Sequence, residues 1–179
     1  LAHVDRPVTF VVAEPSEIEH AIERAYHAST TVSDAVRVFE ARVQGRAGNE
    51  TPTAEVDANA PIVQVVNTIL TQAVRDRSSD VHIEPMGDRI RVRNRIDGAL
   101  HEVLSLPQSM AQALVSRIKI MADMNIVERR RPQDGQIETV IDGNELDIRV
   151  STVATQYGEK TVLRILDKAR ALYDLSTLG

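Results

Sequence analysis

The chain reads as an α+β protein with one mixed, antiparallel-rich sheet of about six strands. Two observations predict this. The first is an order of elements: helix, three strands, helix, three strands, with strand signals of period two and helix signals of period three to four. The second is a pair of Asp-Gly turns, Asp97-Gly98 and Asp142-Gly143, each flanked by alternating apolar residues, a strong hairpin signal. Apolar residues make up 42% of the chain and aromatic residues only 3%, so the core must be built from aliphatic side chains.

Val8-Thr9-Phe10-Val11-Val12-Ala13 is a short strand-like run ended by Glu14-Pro15. Ser16-Glu17-Ile18-Glu19 then makes a capping box. Ile18, Ala21, Ile22, Ala25 and Tyr26 recur at helical spacing behind it. One strand and one helix cannot bury their apolar faces alone, so residues 1–27 read as the end of a domain that starts earlier. Val32, Ala35, Val36, Phe39 and Val43 predict a second amphipathic helix. The polar, Gly- and Pro-containing stretch from Gln44 onward predicts a flexible linker, and 28–58 form one connecting segment.

A new unit opens at Asn59, read as an N-cap, with Pro61 in the first turn. Ile62, Val65, Val66, Ile69, Leu70 and Ala73 give its helix a wide apolar stripe. Strands are expected at 80–84, 88–97 and 99–105. Pro107 is expected to open a helix carrying Met110, Leu114, Ile118 and Met121. Three more strands are expected at 136–141, 144–152 and 159–167.

Within this unit Arg89, Arg91, Arg93 and Arg95 fall on one face of a strand, with Ile90, Val92 and Ile96 on the other. Four like charges in a row require anions nearby, from acidic side chains or from a phosphate-bearing partner. Glu145, Asp147, Arg149 and Ser151 share a face of another strand and could neutralise part of the row. Arg164 lies within Val162-Leu163-Arg164-Ile165-Leu166, where an unpaired guanidinium would be costly, so it needs an internal carboxylate or an external anion. Arg129-Arg130-Arg131 runs into Pro132-Gln133-Asp134-Gly135; such a run is ordinarily a solvated loop, though its charge also suits phosphate capture. Of the 21 cationic side chains all but Lys119, Lys160 and Lys168 are Arg, the residue suited to bidentate pairing.

Several function classes are disfavoured. With no Cys there are no disulfides or thiolate metal sites. A net charge of −5 argues against general nucleic-acid binding. No apolar run is long enough to cross a bilayer, and no signal peptide is visible, which makes the cytoplasm the expected compartment. Neither a GxxxxGK[ST] loop nor a GxGxxG occurs. The five His (3, 20, 27, 82 and 101) are scattered; His82 stands beside Asp80 and Glu84, but a strand histidine is the simpler reading and no metal site is expected.

Five motifs then stand in order: Ser79-Asp80-Val81-His82-Ile83-Glu84-Pro85, Arg93-Asn94-Arg95-Ile96-Asp97-Gly98, Arg130-Arg131-Pro132-Gln133-Asp134-Gly135, Asp147-Ile148-Arg149-Val150-Ser151-Thr152 and Gly158-Glu159-Lys160-Thr161-Val162-Leu163-Arg164-Ile165-Leu166. Together they closely resemble the traffic ATPases of type IV pilus assembly and type II secretion (PilB/GspE-like), over about residues 58–179. The resemblance implies that 59–179 is the PAS-like domain directly before a RecA-like ATPase domain. It implies that 1–27 is the C-terminal remnant of a regulatory N-terminal domain, one that binds cyclic di-GMP in some members.

It further implies a hexameric cytoplasmic motor, associated peripherally with the inner face of the cell membrane, using ATP and Mg. Its partners would be its own ATPase domain, neighbouring subunits of the homohexamer and inner-membrane platform proteins, with no nucleic acid. By motif, Arg149 and Arg164 would contact the nucleotide phosphates, with Arg95, Arg130 and Arg131 as secondary candidates. Gln136 departs from the family, which often has Arg there. The phosphate-binding loop and the other ATPase motifs would lie beyond Gly179, so this chain alone is expected to bind no cofactor and to be inactive. A stand-alone PAS-like sensor is the alternative. It would need a ligand cavity with polar or aromatic lining, from a chain with 2 Phe and 3 Tyr.

Overall fold

The computed structural model describes residues 12–15, 18, 28–45 and 60–167. The strand expected at 8–13, the helix from Ile18 to Tyr26 and the linker beyond Gly45 fall almost entirely outside the described residues.

Helix α1 (Ala28–Gly45) is followed by α2 (Pro61–Arg75), both set by apolar residues at helical spacing. The cap of α2 is Ala60, not Asn59, and it makes no side-chain capping hydrogen bond. Pro61 at the start lacks an N–H and has its φ already set for a helix, which suits an end without a polar cap. Strands β1 (Asp80–Pro85), β2 (Arg89–Ile96) and β3 (Ala99–Pro107) come next. A single 3₁₀ turn (Gln108–Met110) leads into α3 (Ala111–Met121), and β4 (Gln133–Ile141), β5 (Asn144–Thr155) and β6 (Gly158–Asp167) follow. Pro107 therefore ends a strand rather than opening the helix. Strand β4 begins three residues earlier than the sequence pattern indicates, so Asp134-Gly135 lies in the sheet and not in a turn.

The six strands form one sheet in the order β3-β2-β1-β6-β5-β4, and every pairing is antiparallel. The expectation of a mixed sheet is corrected to a fully antiparallel one. Each half is a meander closed by tight turns, and β1 meets β6 at the centre. Asp97 and Gly98 have φ of 49° and 84°, Asp142 and Gly143 have 50° and 80°. Positive φ at both central positions matches the right-handed strand twist, which is why Asp-Gly recurs there. The link from β3 to β4 through α3 spans the sheet from one edge to the other.

One face of the sheet carries Val81, Ile83, Ile90, Val92, Ile148, Val150 and Leu163, all buried, and packs with α2 and with Leu114 and Ile118 of α3. Val32, Ala35 and Phe39 of α1 join the same core. The opposite face carries most of the charged side chains, with Val162 and Leu166 interspersed. No helix among the described residues is long and apolar enough to cross a membrane.

Candidate functional site

Strand alternation and register assemble the charged face. Cross-strand partners Gln136, Arg149, Arg164, Asp80 and Arg95 follow one another across β4, β5, β6, β1 and β2. Arg149 and Arg164, fifteen positions apart in sequence, are thus directly opposite each other on neighbouring strands.

Two carboxylates of β1 hold this face together. Glu84 is buried and accepts from Arg91 at 3.0 Å, Arg93 at 2.8 Å and Lys160 at 2.8 Å. Burial alone would raise its pKa, but the bonds from Lys160, Arg93 and Arg91 outweigh burial and hold it at about 2. Asp80, also buried, accepts from Arg164 Nε at 3.0 Å and from Ser79 Oγ at 2.9 Å, and faces Arg95 Nε at 3.2 Å. Burial works against its ionised form; the bonds from Arg164 and Ser79 and the charge of Arg95 prevail and lower its pKa. The arginine row is therefore neutralised mainly from β1, with Glu102 of β3 at 4.0 Å from Arg89. The expected contribution of Glu145 and Asp147 is corrected: β5 lies three strands away from β2.

His82 sits between these two carboxylates along β1. Burial, then the positive charge of Lys160, lowers its pKa and favours the neutral ring. Glu84 and Asp80 are fully engaged by cations, and among the described residues no group of three or more His, Asp or Glu is placed to hold a metal ion.

Beyond Asp80 the balance shifts to excess positive charge. Arg164 is 66% exposed despite its bond to Asp80. Arg149 is exposed and has no hydrogen bond or ion pair among the described residues. A groove of about 640 Å³ opens beside them, lined by Asp134, Gly135, Gln136, Arg149, Val150, Ser151, Val162 and Arg164. Two guanidinium groups side by side over a groove suit an anion with several oxygens, such as a polyphosphate.

The secondary candidates separate. Arg95 is tied inward, to Asp80 and to the Gly98 carbonyl at 2.9 Å. Arg130 and Arg131 stand exposed on the segment before β4, outside the strand register that sets Arg149 opposite Arg164. Their segment is rigidly built: Asn125, Glu128 and Gln133 spend their side chains on its backbone, and Glu128 accepts from the Arg130 and Arg131 amides at 2.8 and 3.2 Å. Beneath it Lys119, wholly buried, contacts Glu159 and donates to the Glu128 carbonyl at 2.7 Å. Sequence reasoning missed this buried ion pair and the structural role of Asp80 and Glu84. A Lys within Arg117-Ile118-Lys119-Ile120-Met121 on a mostly apolar helix was the available signal for the first.

Residues 55–179 match the family described as "Type II/IV secretion system protein". The chain belongs to that family. It is 41% identical to a type II secretion system protein E of Xanthomonas campestris pv. campestris, over 97% of this chain and 30% of the relative. It is 39% identical to the type II secretion system protein HxcR of Pseudomonas aeruginosa, over 97% of this chain and 38% of that one. It is 40% identical to the type IV pilus assembly ATPase PilB of Myxococcus xanthus, over 94% of this chain and 31% of that one. The chain thus spans about a third of the length of these relatives.

Proposed function

We propose that this chain is the N-terminal, nucleotide-closing and subunit-interface part of a hexameric motor ATPase that drives type II secretion or type IV pilus assembly. In this reading Arg149 and Arg164 reach the phosphates of ATP bound by the RecA-like domain of the whole protein, which also carries the Mg. The observation that supports it best is the Arg149–Arg164 pair itself. Like charges directly opposite on neighbouring strands are unfavourable, and only Arg164 has a counter-ion among the described residues. An incoming triphosphate would relieve that repulsion. Relatives named as a secretion protein E and as a pilus assembly ATPase support the same reading. Cytoplasmic placement against the inner membrane, contacts with the platform proteins and the homohexamer belong to the proposal. So does the division into 1–27, 28–58 and 59–179, with a PAS-like third part.

Charge developing on a transferred phosphoryl group is stabilised by guanidinium donors, worth roughly 10³–10⁵ in rate for arginine fingers. In the full-length protein, Arg149→Ala and Arg164→Ala are expected to cut ATP turnover steeply while ATP binding survives. Turnover equal to wild type in either variant would overturn the reading.

A further inference from the structure

We propose that Asp80 is a positioning residue, which aims the Arg164 guanidinium into the groove; this rests on the phosphate reading above. Asp80 and Arg164 are direct partners across β1 and β6, and the Ser79 carbonyl accepts from the Ile165 amide at 2.9 Å beside them, fixing the register. The Asp80 side chain is 7% exposed and that of Arg164 is 66% exposed, so a fixed anchor holds a projecting arm. The contact engages Nε of Arg164, at 3.0 Å from Oδ1. A guanidinium has five N–H donors in a planar fork. Binding through Nε leaves the four on the terminal nitrogens for a ligand and fixes the plane in which they lie. The anchor is itself fixed: Oδ2 accepts from Ser79 Oγ at 2.9 Å and faces Arg95 Nε at 3.2 Å.

Charge order gives Asp80 a second effect. Along the transverse row the sequence of charges is Arg95, Asp80, Arg164, Arg149, or plus, minus, plus, plus. Removing the minus leaves Arg164 between two cations, Arg95 and Arg149, with no carboxylate to hold it, and the long side chain is then free to swing away from the groove. With Asp80 in place the Arg164 guanidinium stays fixed at the groove before the anion arrives. A receptor arranged in advance for transferred charge needs no reorganisation during the reaction.

The test is a double-mutant cycle on ATP turnover in the full-length protein, comparing wild type, Asp80→Ala, Arg164→Ala and the double variant, with ATP affinity and thermal melting followed in each. Asp80→Ala is expected to lower kcat by about tenfold to a hundredfold, the range that misplacement by about 1 Å can cause, with little change in KM. The double variant is expected to turn over no more slowly than Arg164→Ala alone, because Asp80 acts only through Arg164. A purely structural Asp80 would instead multiply the two losses, and that result overturns the inference. An Asp80→Ala enzyme with wild-type kcat overturns it as well. Wild-type turnover in Arg164→Ala would instead sink the phosphate reading on which it rests. Should Asp80→Ala fail to fold, Asp80→Asn, which keeps the size and one acceptor but not the charge, enters the same cycle with the same expectations.

Discussion

Arg164 shows how a single side chain can satisfy two requirements that the sequence presents as alternatives. An arginine inside an apolar run needs either an internal carboxylate or an external anion. Here Nε takes the carboxylate of Asp80 while the rest of the group projects over a groove. Losing Arg164 leaves Asp80 still facing Arg95, so no buried charge is stranded. Arg164→Ala is accordingly expected to lower the stability of the chain by about 1–2 kcal/mol, because Arg164 itself is exposed but the Asp80 oxygen it leaves is buried. Arg149→Ala, which removes a like-charge neighbour and, among the described residues, no salt bridge, is expected to melt at or slightly above the wild-type temperature. Thermal melts of both variants check this. A loss of roughly 3–5 kcal/mol, as from breaking a buried pair, would mark the residue as structural instead.

Among elements, β1 organises the charged face, and its pH response follows. Glu84 has a folded-state pKa of about 2 against an ordinary 4.5, so the folded state holds its proton less tightly than the unfolded state. The stabilisation is therefore complete above about pH 4.5 and is lost as pH falls toward 2. At about 1.4 kcal/mol per unit it amounts to at most roughly 3–4 kcal/mol. Glu84→Gln is expected to be less stable at neutral pH and to show a shallower decline between pH 4.5 and 2. Parallel acid limbs for the two proteins in denaturant titrations would refute the assignment. Strand β4 carries a different constraint. A Cβ at Gly135 would lie 2.4 Å from the Ala122 carbonyl oxygen and 2.9 Å from Met124 Cγ, and backbone oxygen cannot swing aside as a side chain does. Gly135→Ala should lower stability by about 1–3 kcal/mol, the usual cost of overpacking. An unchanged melting temperature would show that the segment after α3 is free to yield.

At the scale of the whole molecule, two antiparallel meanders meet at β1 and β6, and that central seam is where the acids of one half meet the cations of the other. The phosphate platform proposed along this seam holds no loop of the phosphate-cradling kind, which needs a GxxxxGK[ST] that this sequence lacks. The isolated chain is expected to show no steady ATP hydrolysis in a coupled assay. Turnover by pure chain that disappears on a single substitution within it would contradict this.

Order and type of elements over 60–167 were legible because each rests on local signals: apolar stripes at helical spacing in α2, alternation in β2, and Asp-Gly turns that pin two hairpins. The arginine row was legible too, since period-two alternation alone fixes which side chains share a face. Strand order is a different matter. Which strand lies beside which depends on how the two meanders pack around α2 and α3, and no local pattern encodes the β1–β6 seam. Hence strand alternation offers Glu145 and Asp147 as counter-ions, while Asp80 and Glu84, written into the sequence a few residues before the row, do the neutralising. The placement of Lys119 beneath the Arg130–Arg131 segment also emerges only in three dimensions, because its partners Glu159 and the Glu128 carbonyl come from β6 and from a segment with no periodic signature. The residues set the strands and their charged faces; only tertiary packing decided which charges meet, because ion pairing acts through space across strands distant in sequence.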